Sequence, residues 1–188
     1  MGAAMRGVKR FGGLADSMRS RRLRFLAAAA TLAALPWSPA VPSEPQHDPV
    51  LGRVRPAAIL DIAPEWRRGH DDYHPDPSDI DVIRSAPDGS LVMVYFGSWC
   101  SDSVIAVPRF LKIIGAARDG HLKARYVGVD RTKKEPAGRL EGVGLQLVPT
   151  FVLSVRGREI GRIVETPVTT LEHDLALLVR KALTSPEP

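Results

Sequence analysis

Apolar positions in the second half of the chain alternate between unbroken runs and helical stripes. Leu91 to Phe96 is a continuous apolar run between the turn formers Pro87-Asp88-Gly89 and Gly97-Ser98, the pattern of a strand buried on both faces. Val104, Val107, Leu111 and Ile114 then recur at helical spacing, and Ala124 to Val129, ending at Asp130, reads as a second buried strand. Phe151 to Val155 and Glu159 to Val164 are joined by Arg156-Gly157, which predicts two antiparallel strands. Thr169 and Glu172 have capping-box spacing, and Leu171, Leu175, Leu178 and Ala182 form a stripe that packs on a sheet. The segment Arg131 to Gly144 reads as a loop with a short helix, its Lys133 and Lys134 solvated. Together these elements predict an α/β sandwich with a central mixed sheet flanked by helices.

Upstream the pattern is weaker. Ala57 to Ile62 is read as a short strand. Asp76-Pro77-Ser78-Asp79 carries a cap, a first-turn proline and an acid three residues past the cap, which predicts a helix to about Ser85. Residues 41 to about 56, with Pro42, Pro45, Pro49 and Pro56, read as a tether. The expected organisation is a leader at 1–40, a Pro-rich tether and extension at 41–87, the sandwich at 88–184 and a tail at 185–188.

Charge sharpens the N-terminal boundary. The chain of 188 residues has 26 Lys+Arg and 21 Asp+Glu, a formal net charge of +5. Seven basic residues (Arg6, Lys9, Arg10, Arg19, Arg21, Arg22, Arg24) and only Asp16 on the acidic side fall before residue 41, so the rest of the chain is almost neutral. That removes the main support for a nucleic-acid partner. Arg19 to Arg24, the apolar run Phe25 to Trp37, and Ser38-Pro39-Ala40 have the order of an export signal, with Met18 as an alternative start. The apolar run is too short to span a bilayer comfortably, so no stable membrane span is expected after cleavage. Ser20-Arg21-Arg22 is similar to the twin-arginine signal but Arg24 departs from it, so the general and twin-arginine routes both stay open. A periplasmic or secreted location is expected.

Two groups of residues invite chemistry. His70 and His74 lie among Asp71, Asp72 and Asp76, but ligands four apart converge only on a helix, and nothing from Arg67 to Pro75 shows helical periodicity. A solvated loop without metal is expected there. Cys100 is the single cysteine, which excludes an internal disulfide and a C-x-x-C zinc site. It stands at a strand-to-helix junction, where unpaired backbone N–H groups and the helix dipole favour a thiolate, while the neighbouring Asp102 opposes it.

At these positions the chain resembles the thioredoxin superfamily. Trp99-Cys100-Ser101-Asp102-Ser103 aligns with W-C-x-x-C, Pro108 with the helix-kinking proline, and Val148-Pro149-Thr150 with the Ile/Val-Pro-Thr segment whose proline is cis and faces the active-site cysteine. The resemblance covers about Leu91 to Leu183. It implies a thioredoxin-like sandwich, Cys100 as nucleophile, and a groove along Trp99, Val148 and Pro149 where extended substrate pairs with backbone like an added strand.

The departures from that family limit the mechanism. Ser103 replaces the second cysteine, so Cys100 can capture a partner sulfur but no internal thiol can release it. Ser103 is expected to donate a hydrogen bond to the thiolate, and cycling requires an external thiol such as glutathione. The buried acid of thioredoxins falls on Val94 and its companion lysine on Tyr126. The expected function is an exported monothiol protein forming mixed disulfides with thiol- or disulfide-containing proteins or small thiols. Its alternatives are a redox-inactive binding module and a cysteine that links two chains into a dimer. The residues that precede a peroxidatic cysteine are missing, and Cys100-Ser101-Asp102-Ser103 differs from the C-G-F-S of cluster-binding monothiol glutaredoxins. No cofactor is expected.

Overall fold

Both faces of β2 (Ser90–Phe96) are covered, and the rest of the molecule is arranged around that strand. The structure, a computed structural model, describes residues 49–184. The expected leader, the first half of the tether (41–48) and the tail at 185–188 lie outside those residues. Ahead of β2 come β1 (Gly52–Val54), α1 (Pro56–Leu60), α2 (Pro64–Asp71) and α3 (Pro77–Arg84). After it come α4 (Ser101–Ala116), β3 (Lys123–Gly128), a 3-10 turn at Ala137–Arg139, β4 (Thr150–Val155), β5 (Arg158–Val164) and α5 (Leu171–Thr184).

The sheet order is β1-β3-β2-β4-β5. β2 runs parallel to β3 and antiparallel to β4, while β1 and β5 close the sheet as antiparallel edges. Val92, Val94 and Phe96 are fully buried in the larger core cluster with Val107, Phe110 and Phe151. Tyr95 joins Val127, Val129, Val148 and Val152 in a smaller cluster. Burial in two clusters explains why β2 reads as a continuous apolar run without the alternation of a half-buried strand. Phe110 of α4 anchors helix to sheet, its ring 4.9 Å from that of Phe151 and 6.2 Å from that of Tyr126.

α3 begins as the sequence predicts, with the Asp76 carboxylate accepting from the Ser78 N–H at 2.8 Å. Around it the expectations need correcting. Ala57 to Ile62 is not a strand: Pro56 opens α1, and Ile59 is fully buried. The stretch expected to be a loop from Arg67 is helical through Asp71, because Pro64 starts α2 and Trp66 buries itself against the ring of Phe96 at 5.7 Å. His70 lies on α2 with Nδ1 2.8 Å from the Asp71 carboxylate. Among the described residues no group of three His, Cys, Asp or Glu could hold a metal ion. Ile59, Trp66, Ile80 and Ile83 share the cluster of Val92 and Phe96, and β1 pairs with β3. Sheet and core therefore begin at Gly52, well before residue 88.

Glu172 also departs from expectation. The Thr170 hydroxyl, and not that of Thr169, accepts from the third N–H along, that of His173, at 3.2 Å. The Glu172 side chain turns inward instead of closing a capping box. Its carboxylate accepts from the Tyr73 hydroxyl at 2.5 Å and from the Asp76 N–H at 3.3 Å, and the residue is buried. The Tyr73 phenol is raised far above its usual range, first by burial and then by the Glu172 carboxylate. Beside this link, His173 Nδ1 lies 3.2 Å from Asp79, so three polar contacts tie α5 to the region of α3. Among the described residues no helix is long and apolar enough to cross a membrane.

Candidate functional site

Cys100 is the N-cap of α4, where a 97–100 turn carries the chain off β2. The Cys100 N–H bonds to the Gly97 carbonyl at 3.0 Å, and the Cys100 carbonyl accepts from the Val104 N–H at 3.0 Å. The side chain is half-buried. Its S–H donates to the carbonyl of Val148, with sulfur and oxygen 3.2 Å apart. Val148 precedes Pro149 through a cis peptide bond. The structure thus brings Cys100, Val148 and Pro149 together.

Trp99 is placed differently. Its indole lies on the backbone of Gly97, so close that a Cβ there would stand 2.5 Å from the indole Cε2. Nε1 donates to the Val129 carbonyl at 3.0 Å, and the Arg131 guanidinium sits 5.1 Å from the ring centre. Glycine is therefore needed at 97, and the indole braces the turn against the end of β3. Ser98, fully buried, ties the same turn to the N-terminal edge by accepting from the Val50 N–H at 3.0 Å.

Ser103 is fully buried, and its hydroxyl oxygen accepts from the Gly97 N–H at 3.2 Å. Its hydrogen bond in the described structure goes to the turn backbone and not to the sulfur expected from the sequence. Val94 and Tyr126 are direct partners in the β2–β3 ladder and both are buried. Burial raises the Tyr126 phenol and keeps it protonated.

Beyond Trp99, Asp130 organises the loop after β3. Its carboxylate accepts from the Thr132 hydroxyl and from the N–H groups of Thr132, Lys134 and Glu135, the last two at 2.8 Å. These bonds, the Thr132 hydroxyl foremost, hold Asp130 well below the usual carboxylate range. A group lowered in the folded state contributes order above its unfolded value, and that order is lost only as pH falls through the folded one. Amide protection at Lys134 and Glu135 is therefore expected to survive acidification through the range where ordinary carboxylates protonate. In Asp130→Asn it should be lost already at neutral pH, as read by NMR hydrogen exchange. Equal protection in both proteins at neutral pH would contradict this reading.

A groove of about 370 Å³ lies between α4 and the β5–α5 loop. Asp102, Ile105, Ala106 and Arg109 line one wall, with Glu165, Thr166 and Pro167 contributed by the loop. Of these residues the sequence reading singled out Asp102 alone, and only as a charge near Cys100. The spacing 102, 105, 106, 109 marks one helix face and was the available signal. The opposing loop had none, since Glu165 is brought in by the bond of its N–H to the Pro149 carbonyl at 2.7 Å.

No protein-family profile matches this chain, and no curated protein matches it. Solved structures do. An HIV epitope-scaffold aligns at 13% identity with TM-score 0.50, over 69% of this chain and 92% of its own. A Pseudomonas aeruginosa protein of unknown function aligns at 13% identity with TM-score 0.49, over 66% of this chain and 89% of its own. Mitochondrial thioredoxin 3 from Saccharomyces cerevisiae, in its oxidised form, aligns at 22% identity with TM-score 0.36, over 55% of this chain and 86% of its own. At 13% identity the likeness to the epitope-scaffold speaks to fold alone. The mixed five-stranded sheet, α4 leaving β2 through the cysteine turn, and a cis-proline against the sulfur give this chain a thioredoxin-like fold.

Proposed function

We propose that this chain is a single-cysteine thiol–disulfide exchange protein that works outside the cytoplasm and forms mixed disulfides through Cys100. The observation that carries the reading is the half-buried Cys100 sulfur lying 3.2 Å from the Val148 carbonyl, directly before cis-Pro149. A sulfur held there is accessible and sits next to main-chain polar groups that an extended partner strand can use. The Cys100 thiolate attacks one sulfur of a partner disulfide, forming a bond from Cys100 to that sulfur and releasing the other as a thiolate. The Val148 carbonyl, freed from the S–H, then accepts from a partner N–H. Ser103 cannot attack the new bond, so the mixed disulfide persists until an external thiol arrives. The basic and apolar leader supports export.

With one cysteine in the chain, every adduct maps to a single site. Incubating the reduced protein with a disulfide-bonded, partly unfolded substrate and quenching with acid is expected to yield a covalent complex carrying the Cys100 peptide. Mass spectrometry reads it. No such complex under any redox buffer would overturn the proposal.

A second reading, a binding module without redox chemistry, draws on the pairing of Val94 with Tyr126, which leaves no carboxylate at the position where thioredoxins keep one. It requires that partners bind with unchanged affinity after Cys100 is blocked by alkylation with a small reagent.

A further inference from the structure

The two faces of the sheet are covered differently. Each of the helices α1 to α5 places its buried residues in the larger core cluster, together with Val92, Val94 and Phe96 of β2. The smaller cluster, around Tyr95 and Val127 on the other face, is covered by Leu140, Val143 and Leu145 from the segment between β3 and β4. Toward the ends of β2 and β3 remote from Cys100, that second face is open among the described residues. Lys123 pairs with Leu91, Arg125 with Met93 and Val127 with Tyr95, so all six side chains share it. Arg53 of β1 is set opposite Val127 and belongs to the same face. Arg53, Lys123 and Arg125 are exposed, while Leu91 and Met93 beside them are half-buried. Among the described residues none of the three cations has a hydrogen bond or ion pair, and β1 to β4 contain no acidic residue.

The cations are also spaced regularly. Lys123, Arg125 and position 127 are successive same-face positions of one strand, about 7 Å apart, and Arg53 stands next to the third. We propose that this open half of the sheet face docks an extended acidic segment of a partner protein, with carboxylates at every second residue. Such a segment carries its charges about 7 Å apart along one side, so three successive acids reach Lys123, Arg125 and Arg53 in turn. Leu91 and Met93 flank the stripe and receive the methylenes of glutamate. At one end of it, a cavity of about 400 Å³ is lined by Leu91, Lys123 and Arg125. The acid in its lining, Asp88, is engaged by His121 at 2.6 Å, which leaves both cations to an incoming carboxylate. A single-stranded nucleic acid fits less well, because the open half offers no aromatic ring for bases to stack on. A flat bilayer fits less well too, since the cover at Leu140, Val143 and Leu145 stands above the plane of the cations. About 17 Å of strand separates Leu91 from Phe96, with Cys100 beyond it, so this surface is distinct from the thiol site.

The test measures binding of a fluorescein-labelled decapeptide of alternating Glu and Ser by fluorescence anisotropy at low ionic strength. The wild-type chain is expected to bind it, and Lys123→Gln/Arg125→Gln to bind roughly tenfold more weakly, the loss of two exposed charge pairs. Arg68→Gln/Arg180→Gln removes the same charge from exposed positions of α2 and α5 and is expected to bind like wild type. Circular dichroism and the rate of Cys100 alkylation should be unchanged in both double variants. Equal weakening in the two double variants overturns the proposal, because net charge alone would then account for binding. Equal binding of a peptide with the same number of glutamates at every third position overturns the spacing on which it rests. Tighter binding to an oligothymidylate or to vesicles containing phosphatidylglycerol than to the alternating peptide overturns it in favour of that occupant. No binding of the alternating peptide at low salt overturns it outright and leaves the exchange function standing.

Discussion

Trp66→Ala is expected to lower the free energy of unfolding by about 3–5 kcal/mol, the cost of removing a large aromatic from a filled core. Trp66 is fully buried, meets Phe96 edge-on with ring centres 5.7 Å apart, and shares a cluster with residues of α3 and α4. Its Nε1 is the one buried side-chain nitrogen or oxygen without a partner among the described residues. The indole therefore contributes through packing and gains nothing from its polar edge. Trp66→Phe keeps a ring against Phe96 and discards the unpaired N–H, so it should cost clearly less than alanine. Urea unfolding followed by circular dichroism measures both. An alanine variant as stable as wild type would mean that α2 is dispensable and that the core does not extend ahead of β2.

Gly128→Ala carries the second large effect. A Cβ at this position would stand 2.1 Å from the Val50 carbonyl oxygen, a backbone atom that no rotamer change can move. Gly128 is paired with Gly52, so the clash falls where β1 joins the sheet. The expected cost is about 1–3 kcal/mol or more, as for an overpacked interior. Displacing Val50 also breaks its N–H bond to Ser98, which sits two residues before Cys100. A stability loss should therefore be accompanied by faster alkylation of Cys100 by iodoacetamide under native conditions. Lost stability with an unchanged alkylation rate would separate β1 from the thiol turn and refute the coupling.

What could be read from the sequence depended on how many apolar residues each element buries. β2, β3 and α4 each bury several, and their runs or stripes were legible. α2 buries only Trp66, and one apolar residue among charged neighbours has no period to detect. α1 offered five residues with four apolar ones in a row, Ala57 to Leu60, a length at which strand and helix patterns coincide. Pro56 and Pro64, each at a first helical position, were the overlooked signals. Of the site, Cys100, Val148 and Pro149 were recognisable from local motifs. The bonds of Ser103 to Gly97 and of Trp99 to Val129 have no signal in the sequence, because they depend on how the turn folds back on itself. Glu172 was out of reach for another reason: its partner Tyr73 lies 99 residues away.

The two margins of the sheet bear on which surfaces can recruit another chain. β5 is an outer strand, the kind that invites edge-to-edge association, yet Arg158, Glu159 and Arg162 are spaced along it and Lys181 of α5 donates to its Ile160 carbonyl at 2.7 Å. The opposite margin is a strand of only three residues. Charge guards one border and brevity the other, so neither rim offers a long uncharged edge for strand-like pairing with a second polypeptide.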